Sequence, residues 1–152
     1  MLIAGVPVVT QTLGALEDSE LRGRARDVVV MSAEERRWGR RRIVTRAGRE
    51  LALALPTGVG VAVGEVLHVD AEWYVVVEAA AEPVLLVRPE SWVEAVRLAF
   101  EVGNRHGALA VNGEWLLLPD EAAMEQLLAR LGMAFERARA PFAPVGFGHR
   151  HD

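Results

Sequence analysis

Residues 108–118 read Ala-Leu-Ala-Val-Asn-Gly-Glu-Trp-Leu-Leu-Leu, and this stretch decides the fold of the second half of the chain. Asn-Gly between two apolar runs is the strongest short-range signal for a β-hairpin, because both central positions of a type I′ turn need a positive φ. The stretch therefore predicts two antiparallel strands joined at Asn112 and Gly113.

A helix pattern lies on each side of this hairpin. Before it, Ser91 and Glu94 form a capping-box signature, and after it Asp120 is a candidate N-cap. Apolar residues then recur at helical spacing in both segments, which predicts two amphipathic helices. The first stripe consists of Trp92, Ala95, Val96, Ala99, Phe100 and Gly103, and the second consists of Met124, Leu127, Leu128 and Leu131.

Strand patterns at residues 83–88 and 133–140 complete the order β-α-β-β-α-β. This order is typical of the ferredoxin-like fold, in which one antiparallel sheet carries both helices on one face. The first half instead shows short strand patterns about every ten residues, which predicts an all-β domain. These patterns lie at residues 6–10, 26–31, 43–45, 50–55, 66–69 and 73–78.

The predicted fold is therefore α+β, with two domains. Residues 1–80 form an all-β domain, and residues 81–141 form a ferredoxin-like βαββαβ domain. Residues 142–152 are rich in proline and glycine and end the chain, so we predict a short flexible tail.

The composition excludes several classes of function. The chain is 51% hydrophobic and 25% charged, which is globular, and a net charge of −4 argues against a nucleic-acid binder. It contains no cysteine, so disulfides and thiolate ligands are excluded. Residues 51–63 form the longest apolar tract, which Pro56 interrupts and which falls short of the ~18 residues of a membrane helix. We expect a cytoplasmic protein without a membrane segment and, for want of a nucleophile–base pair, not an enzyme.

The four histidines are the candidate metal ligands. His68 lies inside a predicted strand, where a packed side chain is the simpler reading. His106 follows the first helix, and His149 and His151 in the tail place two imidazoles on one side of an extended chain. Imidazole without thiolate suits Ni(II), Cu(II) or Zn(II) and does not choose among them. One chain offers few fixed ligands, whereas a two-fold dimer would bring two copies of one histidine together.

A basic run lies between the two halves of the β pattern. Its five arginines are Arg36, Arg37, Arg40, Arg41 and Arg42. One reading is a solvated strand edge whose charge discourages edge-to-edge pairing. The other reading is a docking patch for an acidic partner protein.

Several motifs, taken in order, resemble the UreE family of urease accessory proteins. The most specific is Gly103-Asn104-Arg105-His106. The others are Arg36-Arg37-Trp38-Gly39-Arg40-Arg41-Arg42, Gly48-Arg49-Glu50-Leu51-Ala52-Leu53, Leu55-Pro56-Thr57-Gly58, Gly64-Glu65-Val66-Leu67, Glu82-Pro83-Val84-Leu85 and Leu127-Leu128-Ala129-Arg130-Leu131-Gly132.

The resemblance implies a nickel metallochaperone. It implies a homodimer formed through the C-terminal domains, with His106 of both protomers binding Ni(II) at the two-fold axis and His149 and His151 adding ligands. It also implies that residues 1–80 are a partner-interaction domain, that residues 81–141 are the metal-binding and dimerisation domain, and that nickel is delivered to apo-urease through an accessory GTPase complex. Residues 120–122 carry no histidine where many members have some, so a second metal site is not expected. The alternative is a metal-independent adaptor that uses the β-domain to bind a partner.

Overall fold

The computed structural model describes residues 2–146, which divide into two compact units. The first unit ends at Ala79, and the second covers Ala80–Gly146. The predicted tail histidines, His149 and His151, lie outside the described residues. Within the described part of the chain, no helix is long and apolar enough to cross a membrane.

Strands build the first unit, as the sequence predicts. They form two sheets with the orders β1-β2-β5-β4 and β3-β7-β6. Both predicted hairpins are confirmed, because β4 pairs antiparallel with β5 and β6 pairs antiparallel with β7. The strands are β1 (Leu2–Ile3), β2 (Val6–Val9), β3 (Ala25–Met31), β4 (Arg40–Val44), β5 (Glu50–Ala54), β6 (Val66–Val69) and β7 (Trp73–Ala79).

Two short helices in this unit were not predicted. They are α1 (Asp18–Leu21) and α2 (Ala33–Arg36), each of four residues. A capping box begins α2, because Ser32 accepts a hydrogen bond from the backbone of Glu35 and the Glu35 carboxylate accepts one from the backbone of Ser32. One helical turn gives too few positions for a period of 3.6 to be visible in the sequence.

Alternating side chains of these strands form the first core. In β5, Leu51 and Leu53 are buried while Ala52 and Ala54 are half-buried, as a period of two requires. The core is apolar and drawn from both sheets. Its buried members are Val9, Val29, Met31, Ile43, Leu51, Leu53, Leu55, Val61, Leu67, Val75 and Val77.

A buried carboxylate connects β3 to the turn between β4 and β5. Asp27 accepts hydrogen bonds from the Thr45 hydroxyl, from Arg49 Nη1 at 2.8 Å and from the backbone nitrogens of Val28 and Ala47 at 2.8 and 3.1 Å. Burial raises the pKa of Asp27, but these hydrogen bonds outweigh burial and hold the pKa below its ordinary value. The ionised form therefore stabilises the β-domain.

Replacing Asp27 with asparagine is expected to destabilise the first unit by about 1–3 kcal/mol at neutral pH, because buried donors lose their charged acceptor. The folded pKa lies below the unfolded value of about 3.9, so the contribution is complete above that pH. It is lost as the pH falls through the folded pKa. Urea unfolding at pH 7 and pH 3 would measure this, with Asp70→Asn at an exposed aspartate as the control. Equal stability of Asp27→Asn and wild type at pH 7 would contradict the expectation.

The second unit has the predicted βαββαβ order. Its sheet order is β11-β8-β10-β9, with every neighbouring pair antiparallel, so the ferredoxin-like topology is confirmed. The predicted hairpin is present, but its turn is shifted by one residue: Asn112 ends β9 and pairs with Trp115, so Gly113, with a φ of 60°, and Glu114 are the central residues. Glu114 has no positive φ, so the turn is not the predicted type I′. The elements are β8 (Ala81–Val87), α3 (Trp92–Asn104), β9 (Ala110–Asn112), β10 (Trp115–Pro119), α4 (Ala122–Leu131) and β11 (Glu136–Pro141).

The ends of these elements differ in detail from the prediction. The Ser91 hydroxyl caps α3, as predicted, by accepting from the backbone nitrogen of Glu94 at 3.1 Å, but α3 lacks the reciprocal hydrogen bond that would complete the predicted capping box. The N-cap of α4 is Glu121 and not Asp120, whose carboxylate instead accepts a 2.6 Å hydrogen bond from Arg137.

The end of the unit is also shifted along the chain. The last strand begins three residues later than expected, at Glu136, because Met133 packs into the core as part of the loop after α4. The chain stays packed beyond residue 141, since Phe142 is buried and the backbone nitrogen of Val145 donates to Leu109.

Candidate metal centre

His106 lies in the turn that ends α3, and its side chain is exposed. Its φ is 56°, in the left-handed region. Its backbone nitrogen donates to the carbonyl of Gly103 at 3.0 Å, and the nitrogen of Gly107 donates to the carbonyl of Val102 at 2.9 Å. This pair of hydrogen bonds is the Schellman motif, with His106 at the position that glycine usually occupies.

The helix α4 ends in the same motif, with glycine at the left-handed position. Gly132 has a φ of 70°, its nitrogen donates to the carbonyl of Ala129 at 3.2 Å, and Met133 donates to Leu128 at 3.0 Å. Glycine adopts this conformation without a Cβ clash, whereas other residues meet a steric cost. Among the described residues only Ala4 and His106 have a positive φ without being glycine. An imidazole held in this position is a reason to expect a function.

The residues on either side of His106 fix the turn. A Cβ on Gly107 would lie 3.1 Å from Val102 Cγ1 and 3.3 Å from the Val102 carbonyl oxygen, so glycine lets the chain leave the helix closely. The Arg105 guanidinium donates to the Glu101 carboxylate at 2.6 Å and to the Glu101 carbonyl at 3.0 Å. The guanidinium of Arg105, which precedes His106 in the sequence, is therefore paired with the carboxylate of Glu101, one helical turn earlier.

The apolar stripe predicted on α3 points mostly to solvent. Trp92 is 80% exposed, Phe100 67% and Val96 48%. The helix packs on its own domain with a different face, where Leu98 and Val102 are buried. The exposed stripe extends along the helix to Phe100, six residues before His106. A contiguous exposed apolar surface beside polar residues marks an interaction site.

The other histidines do not join His106 within the described residues. His68 is half-buried in β6, its ring centroid 5.2 Å from that of Trp73, and burial lowers its pKa. It is a packed strand residue, as the sequence indicates. The predicted ligands His149 and His151 lie outside residues 2–146. Within that range there is no group of three or more histidine, cysteine, aspartate or glutamate side chains that could hold a metal ion.

The sequence pattern points to His106 but does not show two features of its surroundings. It gave no sign that the residue takes a left-handed backbone conformation, which only a glycine would have signalled. It also did not separate the two apolar faces of α3. The spacing of Leu98 and Val102 was the available signal for the second face, because four residues place both side chains on one side of a helix.

Comparison with known proteins gives a consistent family assignment. The model for the N-terminal domain of the UreE urease accessory protein matches residues 9–80, and the model for its C-terminal domain matches residues 82–152. The urease accessory protein UreE of Burkholderia thailandensis is 43% identical over 108 residues, which are 68% of this chain and 51% of that protein.

Two further relatives carry the same name. The protein of Cupriavidus necator is 38% identical over 127 residues, covering 81% of this chain and 66% of the relative. The protein of Ectopseudomonas mendocina is 40% identical over 124 residues, covering 78% of this chain and 75% of the relative. The matched part of the chain thus spans between half and three quarters of the length of these three relatives.

Proposed function

This chain belongs to the UreE family of urease accessory proteins, and we propose that it binds Ni(II) in the cytoplasm and delivers it to apo-urease during assembly of the urease active site. We propose an accessory GTPase complex as the second partner in this delivery. The family consists of accessory proteins, so the prediction that the chain is not an enzyme is confirmed.

The observation that carries the proposal is the imidazole of His106 in a left-handed turn. The same turn in α4 contains Gly132, so the fold itself has no need of a histidine there. The side chain is exposed, follows directly from a rigid helix and has no thiolate near it in a chain without cysteine. Such a donor suits Ni(II), which accepts imidazole nitrogen.

One chain has too few metal ligands among its described residues, and a second chain would supply more. We propose that the exposed stripes of α3 from two chains pack against each other around a two-fold axis, as a homodimer. Only positions close to a two-fold axis meet their own copies, so we propose that the axis passes beside the C-terminal ends of the two α3 helices, where the two His106 side chains become neighbours. His149 and His151 then complete the set of ligands from the chain ends.

The electrostatics around His106 are compatible with a divalent cation as cargo. The last carbonyls of α3 carry the negative end of the helix dipole, which favours positive charge. The pairing of Arg105 with Glu101 compensates the guanidinium charge beside the ligand.

Nickel titration calorimetry on the full chain, with the mass measured by light scattering, tests this function. We expect one tight nickel ion per two chains and the mass of a dimer. Deletion of residues 149–152 should weaken the binding without abolishing it, because the paired His106 residues remain. A wild-type protein that takes up no nickel would contradict the proposal and leave the metal-independent adaptor.

A further inference from the structure

One glycine in α3 differs from all the other glycines in the described part of the chain. Nine of these have a positive φ, which glycine adopts without a Cβ clash. At Gly39, Gly60 and Gly107 a Cβ would lie 2.1, 2.4 and 3.1 Å from a neighbouring atom, so the chain itself needs the space. Gly103 has neither property: its φ is not positive, and no atom outside its own helix lies within 4 Å of the position that a Cβ would take.

The local fold does not require a glycine at position 103. Gly103 lies in the last turn of α3, where glycine costs stability relative to alanine because it loses more conformational freedom on folding. The end of α4 provides the comparison. The backbone nitrogen of His106 donates to the carbonyl of Gly103, and that of Gly132 donates to the carbonyl of Ala129 in the same way. Ala129 is therefore the residue equivalent to Gly103, and the same motif accepts a side chain there.

A second copy of the chain fits the space beside Gly103. Gly103 is exposed and lies on the same side of α3 as Val96 and Phe100, which precede it by seven and three residues. These exposed apolar side chains form the face that the proposed homodimer buries, and Gly103 continues this face towards His106. The described residues of one chain contain no group of three metal ligands, so the proposed nickel site is incomplete without the second chain.

We propose that Gly103 is the point of closest approach between the two α3 backbones and thereby sets the distance between the two His106 side chains. This role rests on the proposed binding of nickel by paired His106 residues. Carbon atoms pack at about 3.5–4.0 Å, so a Cβ on each chain would hold the two backbones apart. Imidazole nitrogens lie about 2.0–2.1 Å from a bound ion such as zinc, so two imidazoles on one ion have donor atoms at most about 4.2 Å apart. Wider spacing of the helices would take one imidazole out of reach of the ion.

A cysteine at position 103 would report this approach directly, because the chain has no cysteine of its own. A disulfide forms only where two Cα atoms lie within about 7 Å of each other. Mild oxidation of Gly103→Cys in the absence of nickel should therefore give a cross-linked dimer on a non-reducing gel. The matched control is Ala129→Cys, which places an exposed cysteine at the equivalent position of α4 and should stay uncross-linked at the same concentration.

Addition of one methyl group separates the effect on the interface from the effect on the fold. Gly103→Ala should weaken nickel binding in calorimetry at least about tenfold, as loss of a supporting residue around a metal does. In a chain made monomeric by Phe100→Asp, the same substitution should instead raise the melting temperature by about 2–4 °C, because alanine is the better helix former. Ala129→Leu adds more bulk at the equivalent position and should leave the nickel affinity and the dimer mass unchanged.

These measurements separate the role of Gly103 from the proposed function. A wild-type chain that takes up no nickel would refute the function, and the role of Gly103 with it. Nickel binding by wild type and equally by Gly103→Ala would overturn the role of Gly103 alone and would assign the space beside it to a different partner. Absence of the Gly103→Cys cross-link, or equal cross-linking of Ala129→Cys, would also overturn it.

Discussion

Replacing His106 with glycine is expected to abolish tight nickel binding while making the folded protein more stable. Loss of outer-shell partners of a metal typically weakens binding 10–100-fold, and loss of a ligand itself should weaken it more. The backbone effect has the opposite sign. His106 has a φ of 56°, and glycine adopts this conformation without strain, so the free energy of unfolding should rise by up to about 1 kcal/mol.

Calorimetric nickel titration and urea unfolding of the same preparations would measure both effects. The matched control is Gly132→Ala, which places a Cβ in the equivalent turn of α4. It should lower stability by about 1 kcal/mol and leave nickel binding unchanged. His106→Ala is less informative, because it removes the imidazole but keeps the backbone strain. Nickel binding by His106→Gly at wild-type affinity would refute the assignment of this ligand.

Most of the fold could be predicted, because it depends on local patterns. The Asn-Gly pair at residues 112–113 and the two helical stripes predicted the order of the ferredoxin-like domain, although the turn itself is formed by Gly113 and Glu114. Alternation in β5 predicted the core of the β-domain. These signals are periodic and repeat over several residues. The four-residue helices α1 and α2 have too few positions for such a signal, so they were missed.

The candidate site could be predicted only in part. The residue type and the position of His106 after a helix are visible in the sequence, but its backbone conformation depends on how the turn packs, through Gly107 against Val102. The arginine run shows the same limit. Arg36 is buried and Arg42 is exposed, although both are arginines in one short run, because only Arg36 reaches a carbonyl oxygen inside the unit.

The face that α3 presents to its domain depends on tertiary packing. The sequence contains apolar residues on two sides of the helix, and a period of 3.6 fits both. The structure uses Leu98 and Val102 for the core and leaves Trp92, Val96 and Phe100 exposed. Only the structure shows which side of α3 is exposed. The next prediction is based on that exposed side.

Replacing Phe100 with aspartate should convert the dimer into monomers and weaken nickel binding at the same time. A buried aromatic anchor at the centre of an interface typically contributes 2 kcal/mol or more, and a buried unpaired carboxylate adds a desolvation cost. The dimer dissociation constant should rise at least about 30-fold. Stability of the single chain should be preserved, because Phe100 is largely exposed there.

Light scattering across a range of concentrations, with nickel titration at each, would measure this coupling. Val145→Asp is the matched control, since Val145 is 66% exposed in the same unit but lies outside α3. It should leave the mass and the nickel affinity unchanged. Persistence of the dimer in Phe100→Asp would place the interface elsewhere. A monomeric Phe100→Asp that still binds nickel tightly would mean that one chain builds the site alone, and the pairing of two His106 side chains would then be wrong.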